Sequence, residues 1–202
     1  PLLDRQEEVD AVVAGVLRPL IDQDLSVVFY DLTTIRSEGL SQQPGDVRQY
    51  GMAKEGLIAR QFMLGVVQTA EGLPIYHEVF DGNTAETRTL LPTLSKVLER
   101  FPSVQRLMLV ADRGLLSLDN LEALKAVRLA SGKPLEFIVA VPGRRYNEFI
   151  DLLEPFHEQQ CATATQEVIS EQAWNDLRLV VAHDPVTAAT KTQQRNERID
   201  AL

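Results

Sequence analysis

Two short apolar runs, each ending in an aspartate, constrain this chain more than any other feature. In Leu107-Met108-Leu109-Val110-Ala111-Asp112-Arg113-Gly114, apolar residues lead straight into an acid. A run of this kind is too short for a buried helix and reads as a buried strand that delivers a carboxylate at its C-terminal end. Gly114 then permits a turn, and a helical pattern follows. Val27-Val28-Phe29-Tyr30-Asp31-Leu32-Thr33-Thr34 has the same form. Open sheets flanked by helices place their sites at such strand ends, so the pair implies one place where Asp31 and Asp112 meet.

The periodicities around these runs give the element order. Val9, Val12, Val13, Val16, Leu17 and Leu20 form one stripe of a helix over residues 2–21, which Pro19 should disturb or end. Residues 22–26 connect it to the first strand, 27–36. The Gly- and Pro-containing stretch 37–59 reads as a long loop. Residues 60–70 and 73–80 form a hairpin around Glu71-Gly72. Asn83 with Glu86 fits a capping pair, ahead of a helix that starts near Leu90, carries Leu91, Leu94, Leu98 and Phe101, and stops at Pro102. The strand 106–112 follows, then a helix capped by Ser117 and closed by Gly132, then a strand over 135–141 and a short helix over 147–156. After that the pattern changes to a hairpin around Asn175-Asp176 and a polar helix opened by Asp184-Pro185.

A strand, a hairpin and then alternating helices and strands make a mixed α/β sheet. Three antiparallel strands plus two parallel additions is the ribonuclease-H-like arrangement, in which the first and fourth strands lie side by side. The expected organisation is an N-terminal helix and connector over 1–26, a core over 27–158, and a partial β-hairpin insertion with a linker helix over 159–202.

Composition limits the function classes. The 202 residues suffice for one domain with a sizeable core, with or without an inserted piece. The single Cys161 excludes an internal disulfide and fits a reducing compartment. No apolar run approaches the roughly 18 residues of a membrane span. The formal charge of -9 argues against a high-affinity DNA surface on this chain by itself, because phosphate contacts need Lys and Arg. It leaves room for a nuclease-like core whose acids hold metal ions. The chain starts at Pro1 and stops at Leu202 inside a polar helical pattern, and is read as a piece of a longer protein.

Carboxylates are hard oxygen ligands suited to Mg²⁺ or Mn²⁺. Two such ions can activate an attacking oxygen and stabilise a leaving one in phosphoryl transfer, and a third carboxylate is normally needed to hold them. An Asp at a strand end is more often a helix cap or a loop acid, and either residue alone would be read so; the two together favour the metal reading.

At these residues the chain resembles DDE transposases of the IS4-like superfamily, most closely the IS1634 branch. The resemblance rests on Phe29-Tyr30-Asp31-Leu32-Thr33-Thr34, on residues 56–65, on Gly72-Leu73-Pro74, on Phe80-Asp81-Gly82-Asn83-Thr84-Ala85-Glu86-Thr87 and on Val110-Ala111-Asp112-Arg113-Gly114-Leu115-Leu116-Ser117. It implies a ribonuclease-H-like core, a β-rich insertion, Mg²⁺- or Mn²⁺-dependent cleavage and transfer of DNA strands, DNA ends and target as partners, a homodimer in the full-length protein, and the bacterial cytoplasm near the nucleoid. It implies Asp31 and Asp112 as the first two catalytic and metal-binding acids. The third acid of that family lies in a Tyr-x2-Arg-x3-Glu-x6-Lys pattern that nothing here matches: Tyr146 lacks the Arg, and Glu197 sits in the linker-like helix. The third acid is therefore expected to be missing from these residues.

Arg113, Asn83, Thr84, Lys54 and Arg144 are candidate DNA contacts, each with an ordinary alternative: a salt bridge for Arg113, turn and cap formation for Asn83 and Thr84, a solvated surface for Lys54 and Arg144. His77, His157 and His183 have no metal spacing, and Trp174 is expected in a core rather than against a base. Two other functions stay open. One is a non-catalytic relic that binds DNA or a partner. The other, a haloacid-dehalogenase-like phosphatase with Asp31 as nucleophile, is weakened by Thr33 standing where that family has a second Asp.

Overall fold

A computed structural model describes residues 5–21, 27–38, 45–52 and 58–201. Lys54 lies outside the described residues. The chain divides into two compact units, Pro1–Pro142 and Gly143–Leu202.

The first unit is built on a mixed sheet. Strands β1 (Val27–Arg36), β2 (Gln49–Met52), β3 (Ile58–Thr69), β4 (Pro74–Asp81), β5 (Met108–Ala111) and β6 (Glu136–Val139) follow the order β2-β3-β1-β5-β6, with β4 also paired to β3. β1 runs antiparallel to β3 and parallel to β5, and β5 runs parallel to β6. Three antiparallel strands, β4, β3 and β1, extended by two parallel ones, with helices alternating along the parallel half, make the expected ribonuclease-H-like mixed α/β fold, and the short β2 is a further antiparallel strand on β3. β3 is long enough to use one edge twice: Gln49–Met52 pairs with its first residues, and β4 pairs from Phe62 onward.

Alternation along the strands separates two sheet faces. Val28, Tyr30 and Leu32 of β1, Met63 and Val67 of β3, and Leu109 and Ala111 of β5 are buried on one face. The helices α2 (Leu90–Arg100) and α3 (Leu118–Ala126) contribute to the same core, through Leu90, Leu94 and Val97 and through Leu124. The other face is more open, with Phe29 37%, Val79 42% and Ile138 57% exposed. Asp31 shares that face with Phe29 by the two-residue period of the strand.

Local chemistry explains most element ends. Ser117 caps α3 by accepting from the Asn120 backbone N–H. In the second unit, α4 (Ile150–Phe156) continues into a π-helical turn, His157–Cys161. The hairpin β7 (Val168–Trp174) and β8 (Leu177–His183) turns at Asn175, whose φ of 54° is a conformation Asn tolerates. Asp184 accepts from the backbone N–H groups of Val186 and Thr187 and opens α5 (Pro185–Asp200). Half-buried Trp174 packs on buried Phe149 with ring centroids 5.0 Å apart.

Three local expectations need correction. The stretch 37–59 is not loop throughout, since it contains β2, and Ile58 and Ala59 already belong to β3. The first helix, α1 (Gln6–Ile21), runs past Pro19 instead of ending there. Its valine stripe is not buried: Val12 is 67% and Val16 69% exposed. α3 ends at Ala126; Gly132, at φ 74°, instead shapes the turn between Arg128 and Pro134, two residues bridged to each other.

A polar link runs from the core to the turn ahead of α2. Buried Tyr30 donates its O–H to Thr89 Oγ1 at 2.9 Å, and Thr89 Oγ1 donates to the Glu86 carbonyl at 2.8 Å. Burial pushes the Tyr30 phenol up from its ordinary value. Gly65 leaves the room this ring needs. A Cβ there would lie 2.7 Å from Tyr30 Oη and 2.9 Å from its Cε2. Gly65→Ala is therefore expected to destabilise the protein by about 1–3 kcal/mol through overpacking, measured as a lower urea midpoint at unchanged slope; an unchanged midpoint would show that the ring relaxes without cost.

Candidate active site

Asp31 and Asp112 come together through strand register. Tyr30 pairs with Ala111 across the parallel β1–β5 ladder. Asp31 and Asp112 are each the next residue in the same direction, and Asp112 is still extended at φ -74°, ψ 165°. Tyr30 and Ala111 are both buried, so the alternation turns both acids toward the opposite, more open face. Neighbouring strands run about 4.8 Å apart, which sets the scale of the gap between the two backbones. Both acids are exposed.

Each carboxylate uses one oxygen locally. Asp31 Oδ1 accepts from the Leu32 backbone N–H at 2.9 Å, and Asp112 Oδ1 accepts from the Arg113 backbone N–H at 2.6 Å. Among the described residues no other hydrogen bond or ion pair reaches either side chain, so each has an oxygen facing outward. Asp112 thus does cap the short 3-10 turn Arg113–Leu115, the ordinary role considered for it. That role occupies Oδ1 and leaves Oδ2. The donor set is two hard oxygens side by side, which suits a divalent ion of the Mg²⁺ or Mn²⁺ class. Among the described residues no group of three His, Cys, Asp or Glu side chains gathers as a metal site.

The other candidates are distributed as follows. Arg113 is exposed, next to Asp112, and forms no ion pair among the described residues. Asn83 is exposed and Thr84 half-buried, in the turn after β4, where the Thr84 N–H donates to the Asp81 carbonyl at 2.9 Å. Asn83 does not cap a helix: the 3-10 turn Glu86–Arg88 starts from Ala85 without a side-chain cap. Arg144 is exposed in the second unit, beside Arg145, which pairs with Glu148 at 2.7 Å. Arg48 is engaged by Asp46, its Nε donating at 2.8 Å, and Arg60 reaches the same carboxylate at 3.0 Å. The Arg48 hydrogen bonds hold the Asp46 carboxyl well below the usual range. His77 and His157 are exposed and His183 half-buried, on separate elements. Cys161 is buried, and burial pushes its thiol up, away from the reactive thiolate.

Sequence reasoning missed the groups behind Asp112. Asn120 is buried on α3 and donates to the carbonyls of Thr87 and Leu115 at 2.8 Å each. The Glu86 carboxylate lies against Gly114, where a Cβ would collide with it. Glu86 and Gly114 stand inside the motifs quoted above, but nothing in their spacing shows that they touch.

No family model matches the chain, and no curated protein matches its sequence. Among the solved structures similar to it are three that match over 77% of its length. One is the Mos1 transposase paired-end complex with left transposon end, at 16% identity and a TM-score of 0.32, with 55% of that chain covered. Another is the Mos1 mariner paired end complex with Mn, at 19% identity and a TM-score of 0.32, with 50% covered. The third is the Mos1 Strand Transfer Complex, at 18% identity and a TM-score of 0.30, with 49% covered. This chain spans about half the length of those it resembles. Likeness this loose leaves the reading of the site to the chain's own register and residues. Among the described residues no helix is long and apolar enough to cross a membrane.

Exposed acids whose bonds among the described residues run to their own neighbouring amides contribute little to folding. Asp31→Asn and Asp112→Asn each retain an acceptor oxygen, so each variant is expected to unfold within about 0.5 kcal/mol of the parent, by urea denaturation followed with circular dichroism; a loss of several times that size would make the acids structural.

Proposed function

We propose that this chain is the catalytic-core portion of a DNA transposase of the DDE type, of the IS4-like kind, in which Asp31 and Asp112 are two of the acids that hold Mg²⁺ or Mn²⁺. The observation that carries the reading is the side-by-side exit of the two aspartates from paired parallel strands onto one open sheet face. Asp31 and Asp112 offer outward carboxylate oxygens to the ion, and the strand pairing beneath them fixes the separation. A divalent ion held there would polarise a phosphodiester and neutralise charge that builds up on its oxygens. Arg113, exposed beside the second acid, is the candidate for a phosphate contact, and Asn83 and Thr84 are further candidates for contact with the DNA. Two carboxylates hold such ions weakly, so the proposal includes a third acid from outside the described residues or from another chain. DNA ends and target, and a homodimeric parent, belong to the same reading.

Among the described residues no three acids gather as a metal site, which favours a second reading, in which the chain folds as a non-catalytic domain that contacts DNA or a protein partner.

Mn²⁺ titration followed by electron paramagnetic resonance tests the first reading. Asp31→Asn and Asp112→Asn are each expected to weaken Mn²⁺ binding by about tenfold or more, at least what loss of a supporting residue costs. Wild-type affinity in both variants would sink the metal site. Incubation of the chain alone with Mn²⁺ and end-labelled DNA is expected to give no cutting. Cutting that Asp112→Ala abolishes would show that no further acid is required.

A further inference from the structure

Beyond Ala111 the sheet no longer holds the chain. Asp112 leads into a single 3-10 turn, closed by Leu115 N–H to the Asp112 carbonyl at 3.1 Å and Leu116 N–H to the Arg113 carbonyl at 3.4 Å. Such turns have poor hydrogen-bond geometry and are soft by themselves. A carboxylate that shares an ion with Asp31 must nevertheless be held to a fraction of an ångström.

We propose that Asn120 is the positioning device of Asp112, tying the turn that follows this acid to the turn Glu86–Arg88 where Gly114 lets the two come close. The proposal rests on the metal-site reading of Asp112. An amide nitrogen has two protons and can bridge two acceptors. Asn120 Nδ2 spends one on the Leu115 carbonyl, in the turn after Asp112, and the other on the Thr87 carbonyl, in the turn after β4. The Asn120 backbone is fixed too, because its N–H donates to Ser117 Oγ at 3.1 Å. The second turn has its own anchor, since Tyr30 holds Thr89, and Thr89 holds the Glu86 carbonyl. Tyr30 is the residue before Asp31. A run of buried and part-buried hydrogen bonds thus leads from the strand under one acid to the turn under the other, independent of the β1–β5 ladder. Gly114 makes the approach close enough: the Glu86 side chain occupies the space a Cβ would take.

Asn120→Ala leaves two carbonyls without a donor and is at risk of not folding, so the decisive variants are Gly114→Ala and Glu86→Ala/Gly114→Ala. Two readouts apply: Mn²⁺ affinity, and the NMR resonance of the Arg113 amide, which donates to Asp112 Oδ1 at 2.6 Å. Gly114→Ala is expected to remain folded, to shift the Arg113 amide and to weaken Mn²⁺ binding by about tenfold. Removing the Glu86 carboxylate in the double variant should return both readouts close to wild type. A folded Gly114→Ala protein with an unmoved Arg113 amide would overturn the inference, as would a double variant as impaired as the single one. If Asp112→Asn leaves Mn²⁺ affinity unchanged, the metal reading fails separately, and the Arg113 amide still decides whether Glu86 and Gly114 set the turn.

Discussion

The parallel pairing of β1 with β5 is the contact on which the rest of the first unit depends. It joins the antiparallel half of the sheet to the parallel half, and its register, Tyr30 opposite Ala111, decides where each following residue points. A slip of one residue in either strand would exchange the faces. Tyr30 and Leu32, or Leu109 and Ala111, would then lie on the open side, and one aspartate would point into the apolar core. Burying a lone carboxylate there costs several kcal/mol. Placement of the acids and integrity of the core are therefore one constraint.

The hydrogen bonds under the site reinforce that register from behind. Tyr30 is buried on the side opposite Asp31 yet reaches out of the apolar cluster to Thr89. Thr89 is itself fully buried, so its hydroxyl needs both an incoming and an outgoing partner, and it has them in Tyr30 and the Glu86 carbonyl. Gly65 and Gly114 serve the same arrangement by what they lack: one leaves space for an aromatic ring, the other for a carboxylate.

Much of this was legible in the sequence for identifiable reasons. Apolar runs with abrupt ends gave β1 and β5, the Glu71-Gly72 break gave the β3–β4 hairpin, and Ser117 and Asp184 marked helix starts by local bonds to amides within three residues. The adjacency of Asp31 and Asp112 followed from topology once the element order was read. What escaped depends on distant partners. Gln49-Tyr50-Gly51-Met52 has a glycine, no β-branched residue and only four positions, so its strand character comes from the edge it meets on β3. Asn120 reads as an ordinary residue in the first turn of a helix because both its acceptors are carbonyls, and carbonyls carry no sequence signal. Asn83 gave the opposite error: a good capping residue spent on the turn leading to Ala85.

One edge of β3 is shared end to end by two strands. Gln61, where the handover falls, donates its side-chain amide to the Gly82 carbonyl at 2.8 Å, while Gly82 N–H reaches the Val47 carbonyl at 3.0 Å. Gly51 and Gly82 are both so closely approached that neither has room for a side chain. The two neighbours therefore compete for a fixed length of rail. Neither can add a residue at the junction unless the other gives one up, so growth in this region is diverted outward, into the segments that lead to and from the rail.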